Sequence, residues 1–275
     1  MEYSISKIKK ILDYHNFNFK KNYGQNFIID ENIINSIVNR ANITDDTLVI
    51  EIGPGAGALT LKLSKQAKNV LCYEVDNSLS EILNDTLKGC SNVDIIFKDF
   101  LKVNIKEDIK KYEYKQLYVV ANLPYYITTP IIMKFINEKI DVDKIIVMVQ
   151  KEVGDRFKAK PGTKDYSSLS VFLNYYFEVR KLIDVSKNVF IPKPNVDSIV
   201  VEFTKKDQLL PVKNQELFFS LIKDSFKQKR KTIKNNLSSY NLEKIDLVLK
   251  KHNMNLQTRA EQIPFEIFIE IANNL

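Results

Sequence analysis

Five short apolar runs, Thr47–Glu51, Asn69–Glu74, Val93–Lys98, Leu117–Ala121 and Lys144–Gln150, recur through the middle of the chain, each bounded by turn residues and separated by a helix-like segment. Regular alternation of this kind predicts a parallel sheet with helices on both faces. Two later runs, Phe177–Val185 and Asp197–Thr204, flank the Pro192-Lys193-Pro194 turn and are expected to pair antiparallel at the sheet edge, for a sheet of about seven strands. The fold class predicted is α/β, a Rossmann-like sheet carrying a small all-α domain.

Two helices are expected ahead of the sheet, Ser6–His15 and Asp30–Ala41. In the second, Asp30 caps the first turn, and Ile33, Ile34, Ile37 and Val38 form an apolar face. The polar, aromatic stretch Lys20–Phe27 between them reads as a loop. Past Thr204 the pattern is purely helical, with segments at Gln215–Lys227, Thr232–Ser238, Leu242–His252 and Pro264–Ala272. The soft break at Leu209-Leu210-Pro211 suggests a ligand-binding domain over 1–207 and a small helical domain over 208–275.

A chain of 275 residues with 44% hydrophobic content can bury one large core and still furnish a modest second domain. No stretch approaches the roughly 18 consecutive apolar residues of a membrane span, and the start, Met-Glu-Tyr-Ser-Ile-Ser-Lys, lacks the apolar core of a secretion signal. A cytoplasmic protein without membrane partners is expected. Cys72, Cys90, His15 and His252 show no metal-ligand spacing, so neither a metal nor a disulfide framework is expected. Nothing demands a dimer, and a monomer is the expectation.

The net charge of +7 invites a polyanionic partner. Yet 36 of the 41 basic residues are Lys, in a chain crowded with Asn and Ile, which matches the codon bias of an AT-rich genome. Distribution is more informative than the total. From Lys205 onward there are 13 basic and 8 acidic residues, and Ser225–Asn236 holds Lys227, Lys229, Arg230, Lys231 and Lys234 with no acid. These five are candidates for phosphate contact on RNA, against the plain alternative of a solvated helix face.

Three of the seven glycines fall in Glu51-Ile52-Gly53-Pro54-Gly55-Ala56-Gly57, directly after the first apolar run. Such clustering marks a turn whose backbone lies close against a ligand. A tight turn or a nicotinamide-type dinucleotide site begins the same way, so other residues must separate the readings. Glu51, just before the loop, disfavours a pyrophosphate and suits a cationic sulfonium ligand. Glu74 ends the second run, where a carboxylate can accept both ribose hydroxyls of a nucleoside, and Asp99 follows the third, placed to accept from an adenine amino group.

Asn122-Leu123-Pro124-Tyr125 follows the fourth run, at the carboxyl edge where open α/β sheets place their ligands. An exocyclic adenine amine is a poor nucleophile, because its lone pair is delocalised into the ring, and it needs acceptors for its two hydrogens. The Asn122 carboxamide oxygen and the Leu123 carbonyl can supply them, Pro124 stiffens the turn, and Tyr125 offers a flat face for an extruded base. Neither a metal nor a covalent nucleophile is required.

Taken together these residues resemble one family, the small-subunit (16S) ribosomal RNA adenine N6-dimethyltransferases, over nearly the whole chain. Lys21-Asn22-Tyr23-Gly24-Gln25-Asn26-Phe27 is similar to that family's opening motif, Glu51–Leu59 to its cofactor loop, and Asn122–Pro130 to its catalytic motif. Lys160–Ser170 and Val189–Ser198 match further stretches typical of it. The resemblance implies a class I S-adenosylmethionine-dependent fold. It also implies transfer of two methyl groups to each of two adjacent adenosines in the terminal hairpin of small-subunit RNA, during assembly of that subunit. It implies cofactor contacts at Asn26, Ile28, Gly53, Glu74, Asp99 and Asn122, with Glu51, Gly55 and Gly57 in the same loop system, and Phe190 as a second aromatic against the target base. Ile28 stands where the family pattern leads one to expect Leu. Two alternatives stay open: a related large-subunit adenine methyltransferase conferring antibiotic resistance, and a non-catalytic RNA-binding assembly or transcription factor on the same fold.

Overall fold

The computed structural model describes residues 5–20, 23–123 and 125–275. The described residues open with helix α1 (Ile5–Tyr14), a two-residue strand β1 (Phe27–Ile28) and helix α2 (Glu31–Ala41). Strands β2 (Thr47–Ile52), β3 (Asn69–Glu74), β4 (Val93–Phe97), β5 (Gln116–Asn122) and β6 (Lys144–Gln150) follow. Between them lie α3 (Ala58–Leu63), α4 (Ser80–Thr86), α5 (Ile105–Ile109) and α6 (Tyr125–Asn137). Next come α7 (Lys151–Phe157), α8 (Ser168–Tyr176), β7 (Phe177–Val185), β8 (Phe190–Ile191) and β9 (Ser198–Lys205). Four helices complete the described chain: α9 (Gln215–Ser225), α10 (Ile233–Asn236), α11 (Leu242–Lys251) and α12 (Phe265–Asn274).

Among the described residues the main sheet has seven strands in the order β4-β3-β2-β5-β6-β9-β7. The pairs from β4 through β6 are parallel, and β9 joins β6 antiparallel with Val147 opposite Val201. Each of the five predicted central runs forms a strand, and the two later runs are neighbours with β7 at the edge. The apolar runs arise because both faces are covered. Val49 packs in one cluster with Ile34, Ile37 and Val38 of α2 and Ile82 and Leu83 of α4, while Leu48 and Ile50, on the opposite face, are also fully buried. Each such side chain stabilises the fold by about 1.5–3 kcal/mol relative to exposure. Because β3 and β4 lie to one side of β2 and β5 to the other, strand order reverses beside β2. That reversal opens a crevice at the carboxyl ends.

Two differences from expectation bear on the site. Lys20–Phe27 does not remain a loop to its end, because Phe27 pairs with Ile191 and Ile28 with Phe190 in a separate two-stranded ladder. A two-residue ladder is too short to leave a periodic signature. The chain also forms two compact units, Met1–Gly154 with Arg180–Thr204, and Asp155–Val179 with Lys205–Leu275, so the second unit is not confined to 208–275. Its core joins Tyr166, Val171 and Tyr175 to Phe218, Leu221, Ile222 and Phe268, and the Gly162 N–H donates to the Glu261 carbonyl at 2.7 Å. The apolar face of α8 finds those partners only in three dimensions, which a reading along the chain does not reveal.

Candidate active site

The crevice at the strand-order reversal holds a cavity of about 490 Å³. Gly53 and Gly55 border it from the loop after β2, Glu74 and Val75 from the end of β3, Asp99 from the end of β4, and Asn122 and Leu123 from the end of β5. Asn26 and Phe27 border it from the amino-terminal segment, and Phe190 from β8. The carboxyl ends of four strands therefore bring two of the three predicted acids, Glu74 and Asp99, together with Asn122 and the glycine loop to one space.

Gly53 has φ +71° with no atom within 4 Å of where a Cβ would stand, so its backbone faces open space, as a loop lying against a ligand requires. Gly55, at φ +59°, is constrained differently: a Cβ would lie 2.8 Å from Cε1 of Phe27. That ring is held by Phe17 and Phe19, with centroids 5.8 and 5.3 Å away, which ties the amino-terminal segment to the loop.

The Glu74 carboxylate is 5% exposed. Its two oxygens accept the Gly55 N–H at 3.3 Å and the Asp76 N–H at 2.9 Å, and each keeps a lone pair for a further donor. Burial raises its pKa, offset in part by the backbone N–H groups of Asp76, Gly55 and Val75. Asp99 is more open, with 40% of its side chain exposed, and accepts the Leu101 N–H at 3.0 Å.

At the end of β5 the Asn122 Nδ2 donates to the Asn26 carbonyl at 2.9 Å. The carboxamide is thereby oriented, and its Oδ1 accepts nothing from the described residues. Leu123 is buried, and its N–H donates to the Met148 carbonyl at 3.2 Å. Pro124 and the Tyr125 side chain lie outside the described residues. Phe190 is 4% exposed and packs in the main core cluster while bordering the cavity.

Residues 16–275 match the family model described as ribosomal RNA adenine dimethylase. The chain belongs to the ribosomal RNA adenine dimethylase family. Its curated relatives include Ribosomal RNA small subunit methyltransferase A of Staphylococcus aureus strain bovine RF122 / ET3-1, which is 50% identical over 238 residues, 86% of this chain and 80% of that one. The protein of the same name from Staphylococcus aureus strain JH9 shows the same identity and coverage. Among solved structures, a dimethyladenosine transferase from Plasmodium falciparum gives a TM-score of 0.74 at 24% identity, covering 89% of this chain and 95% of that one. The 23S rRNA methyltransferase ErmE gives 0.72 at 24% identity, covering 90% and 99%. These two likenesses concern the fold, which is that of class I methyltransferases.

Three residues assigned to the cofactor from sequence lie off the cavity wall of this family member. Ile28 is buried in the β1–β8 ladder. Gly57 starts α3 with its Cα facing Thr86 and Leu83. Glu51 is 1% exposed, and burial pushes its pKa up to about 8, against the lowering influence of the neighbouring Thr60 hydroxyl and Cys72 thiol. Burial thus favours the uncharged form of this carboxyl, which weakens the argument that its charge repels a pyrophosphate. Sequence reasoning also passed over Asp76, 2% exposed, which binds Lys20 Nζ at 2.6 Å and Gln25 Nε2 at 2.7 Å. Its one sequence signal is its place two residues after Glu74.

In the second unit, Lys227, Lys229, Arg230, Lys231 and Lys234 are all exposed, and among the described residues none of them pairs with an acid. The first four lie in the turn between α9 and α10, where Asn236 Nδ2 donates to the carbonyls of Ser225 at 2.6 Å and Gln228 at 3.2 Å. Four of the five therefore stand on a pinned basic turn and Lys234 on α10, all of them solvated.

Proposed function

We propose that this chain transfers methyl groups from S-adenosylmethionine to N6 of two adjacent adenosines in the 3′-terminal hairpin of small-subunit ribosomal RNA. The observation that carries this reading is the orientation of Asn122. Its amino group is spent on the Asn26 carbonyl, which leaves the carboxamide oxygen as an acceptor at the cavity wall. An amine whose two hydrogens are held by that oxygen and by the Leu123 carbonyl has its lone pair freed from the ring and directed.

The cavity residues fit the methyl donor by chemistry and by shape. Glu74 offers unspent acceptor capacity for ribose hydroxyls, Asp99 an exposed carboxylate oxygen for an adenine amino group, and Gly53 a backbone open to close approach. When bound, S-adenosylmethionine supplies an electrophilic methyl group on a sulfonium. The residues of this chain hold the amine in line and keep its hydrogens engaged, which is catalysis by positioning and by fixed dipoles. Phe190 bounds the base from β8, and Tyr125 is assigned the stacking face from its place in the sequence.

The phosphate contacts are assigned to the basic turn, Lys227 to Lys231, with Lys234 beside it. The partner so implied is the small ribosomal subunit, engaged by a cytoplasmic monomer. Among the described residues no helix is long and apolar enough to cross a membrane.

The deciding experiment incubates the protein with methyl-labelled S-adenosylmethionine and either unmethylated small subunits, large subunits or naked RNA, then maps the modified base. Dimethyladenosine confined to the small-subunit hairpin is expected. Label on a large-subunit adenine would transfer the reading to the resistance-type chemistry, and no label on any RNA would leave a binding role.

A further inference from the structure

The Asp76 carboxylate receives four donors. These are Lys20 Nζ at 2.6 Å, Gln25 Nε2 at 2.7 Å, the Ser78 N–H at 3.0 Å and the Ser78 hydroxyl at 2.7 Å. Gln25 is held at its other end as well, since its Oε1 accepts the Lys20 N–H at 2.7 Å. The residue after Gln25 is Asn26, whose carbonyl receives Asn122 Nδ2. On its other side, the Asp76 N–H donates to Glu74 Oε1 at 2.9 Å. One buried aspartate therefore joins the Glu74 wall of the cavity, through its backbone N–H, to the segment that aims Asn122, through its carboxylate.

An amide side chain can turn over, exchanging its oxygen and nitrogen. At Asn122 the exchanged orientation sets two oxygens against each other, Oδ1 and the Asn26 carbonyl, so the correct one holds only while that carbonyl stays in place. Nothing within Asn26 itself ensures this: its side chain donates to the Gly24 carbonyl at 3.0 Å, a contact local to its own turn. After it, Phe27 is fixed by its pairing with Ile191; before it, the long-range fixings are the Gln25 and Lys20 bonds to Asp76, across 51 and 56 residues of chain.

We infer that Asp76, acting through Gln25 and Lys20, is a positioning residue for methyl transfer, a latch that keeps the Asn26 carbonyl where it presents the Asn122 oxygen to the target amine. The inference rests on the reading of Asn122 as the acceptor for that amine. Neither Asp76 nor Gln25 touches the reacting atoms in this role. Their loss is therefore felt in turnover, with the hold on the methyl donor kept.

The test compares wild type with Asp76→Asn, Gln25→Ala, Lys20→Met and the Asp76→Asn/Gln25→Ala double variant. It measures kcat on unmethylated small subunits, the Kd of S-adenosylhomocysteine, thermal unfolding, and amide hydrogen exchange over residues 23–27. Asp76→Asn and Gln25→Ala are each expected to lower kcat by about 10- to 100-fold, the range for loss of near-attack positioning. The Kd of S-adenosylhomocysteine should move less than about threefold, since the latch acts on alignment and not on uniform binding. Exchange over 23–27 should rise, and the double variant should be no worse than the more affected single one, because both break the same link. Lys20→Met, changed at a half-exposed position, gives a smaller effect of the same kind in a chain that keeps its Asp76 turn. Full kcat in the first two variants, or losses that multiply in the double variant, would overturn the latch. A drop in S-adenosylhomocysteine affinity matched by lost thermal stability, with kcat at saturation unchanged, would make Asp76 merely structural. Wild-type protein that methylates no small-subunit adenine sinks the functional reading beneath it, an outcome distinct from an active wild type with indifferent variants.

Discussion

Glu74 Oε2 accepts the backbone N–H of Gly55 at 3.3 Å, so the end of β3 and the glycine loop after β2 form one rigid wall. Changing Glu74 to Gln replaces one acceptor oxygen with an amino group, which then faces either the Gly55 or the Asp76 N–H and has no lone pair to offer a ribose hydroxyl. A charged hydrogen bond of this kind contributes about 1.5–3 kcal/mol. The Kd of S-adenosylhomocysteine measured by calorimetry should rise about 10- to 100-fold. An unchanged Kd would remove Glu74 from the cofactor wall.

Gly53 and Gly55 separate ligand approach from internal packing. At Gly55 an added methyl group meets the Phe27 ring, itself held by Phe17 and Phe19, and the backbone lies in the left-handed region. Gly55→Ala is therefore expected to cost about 1–3 kcal/mol in urea unfolding. At Gly53 the methyl group meets no protein atom, so only the backbone preference is lost, about 1 kcal/mol. Yet it enters the open space beside the cavity, so Gly53→Ala should lose the larger share of S-adenosylhomocysteine affinity. A reversed order of the two variants in the two assays would contradict this division.

What could be read along the chain follows from how each feature is encoded. Glu74, Asp99 and Asn122 can be placed at the crevice because Glu74 ends an apolar run and the other two directly follow one, and the end of a parallel strand is a fixed place relative to the crevice. The basic turn was recognisable as charge without acid, though its conformation was not. Asp76 was invisible as a latch because its partners stand 51 and 56 residues away, and no spacing rule connects an acid to a lysine at that range. Glu51 reads as a charged group from its place before a glycine loop, which does not reveal the burial that favours its protonated form.

Asn122 divides chemistry from binding. Asn122→Ala removes the oriented oxygen while leaving Glu74, Asp99 and the glycine loop intact. Methyl transfer to small subunits should fall by more than about 100-fold, the cost of deleting one preorganised hydrogen-bonding partner from an active site. Thermal unfolding and most of the S-adenosylhomocysteine affinity should remain. Full turnover by this variant would contradict the role given to the carboxamide.

Glu51 makes stability depend on pH in a stated direction. Its folded pKa, about 8, lies above the ordinary glutamate value of 4.5, so between those values the folded chain holds a proton that the unfolded chain releases. Stability contributed by that proton is complete below 4.5 and is lost as pH rises through about 8. Within the window each pH unit lowers wild-type stability relative to Glu51→Gln by on the order of 1 kcal/mol. Guanidinium unfolding at several pH values should show the two proteins diverging from pH 5 to 8 and running parallel above 9. Curves that stay parallel throughout would place the ionised form in the folded core.

The basic turn makes the last prediction, and it is an electrostatic one. Lys229, Arg230 and Lys231 are exposed, lack acidic partners among the described residues, and stand on a turn pinned by Asn236, so replacing them with Ala removes charge without removing packing. Each phosphate contact releases counterions and contributes about 0.7–0.9 to the slope of log K against log salt. If all three contact phosphate, the triple variant should bind small subunits more weakly at low salt and show a slope shallower by about 2–3. The affinity gap should narrow as salt rises, while the Kd of S-adenosylhomocysteine stays the same. Weaker binding with an unchanged slope would mean that the substitutions act through shape, and an unchanged affinity would return these residues to solvent.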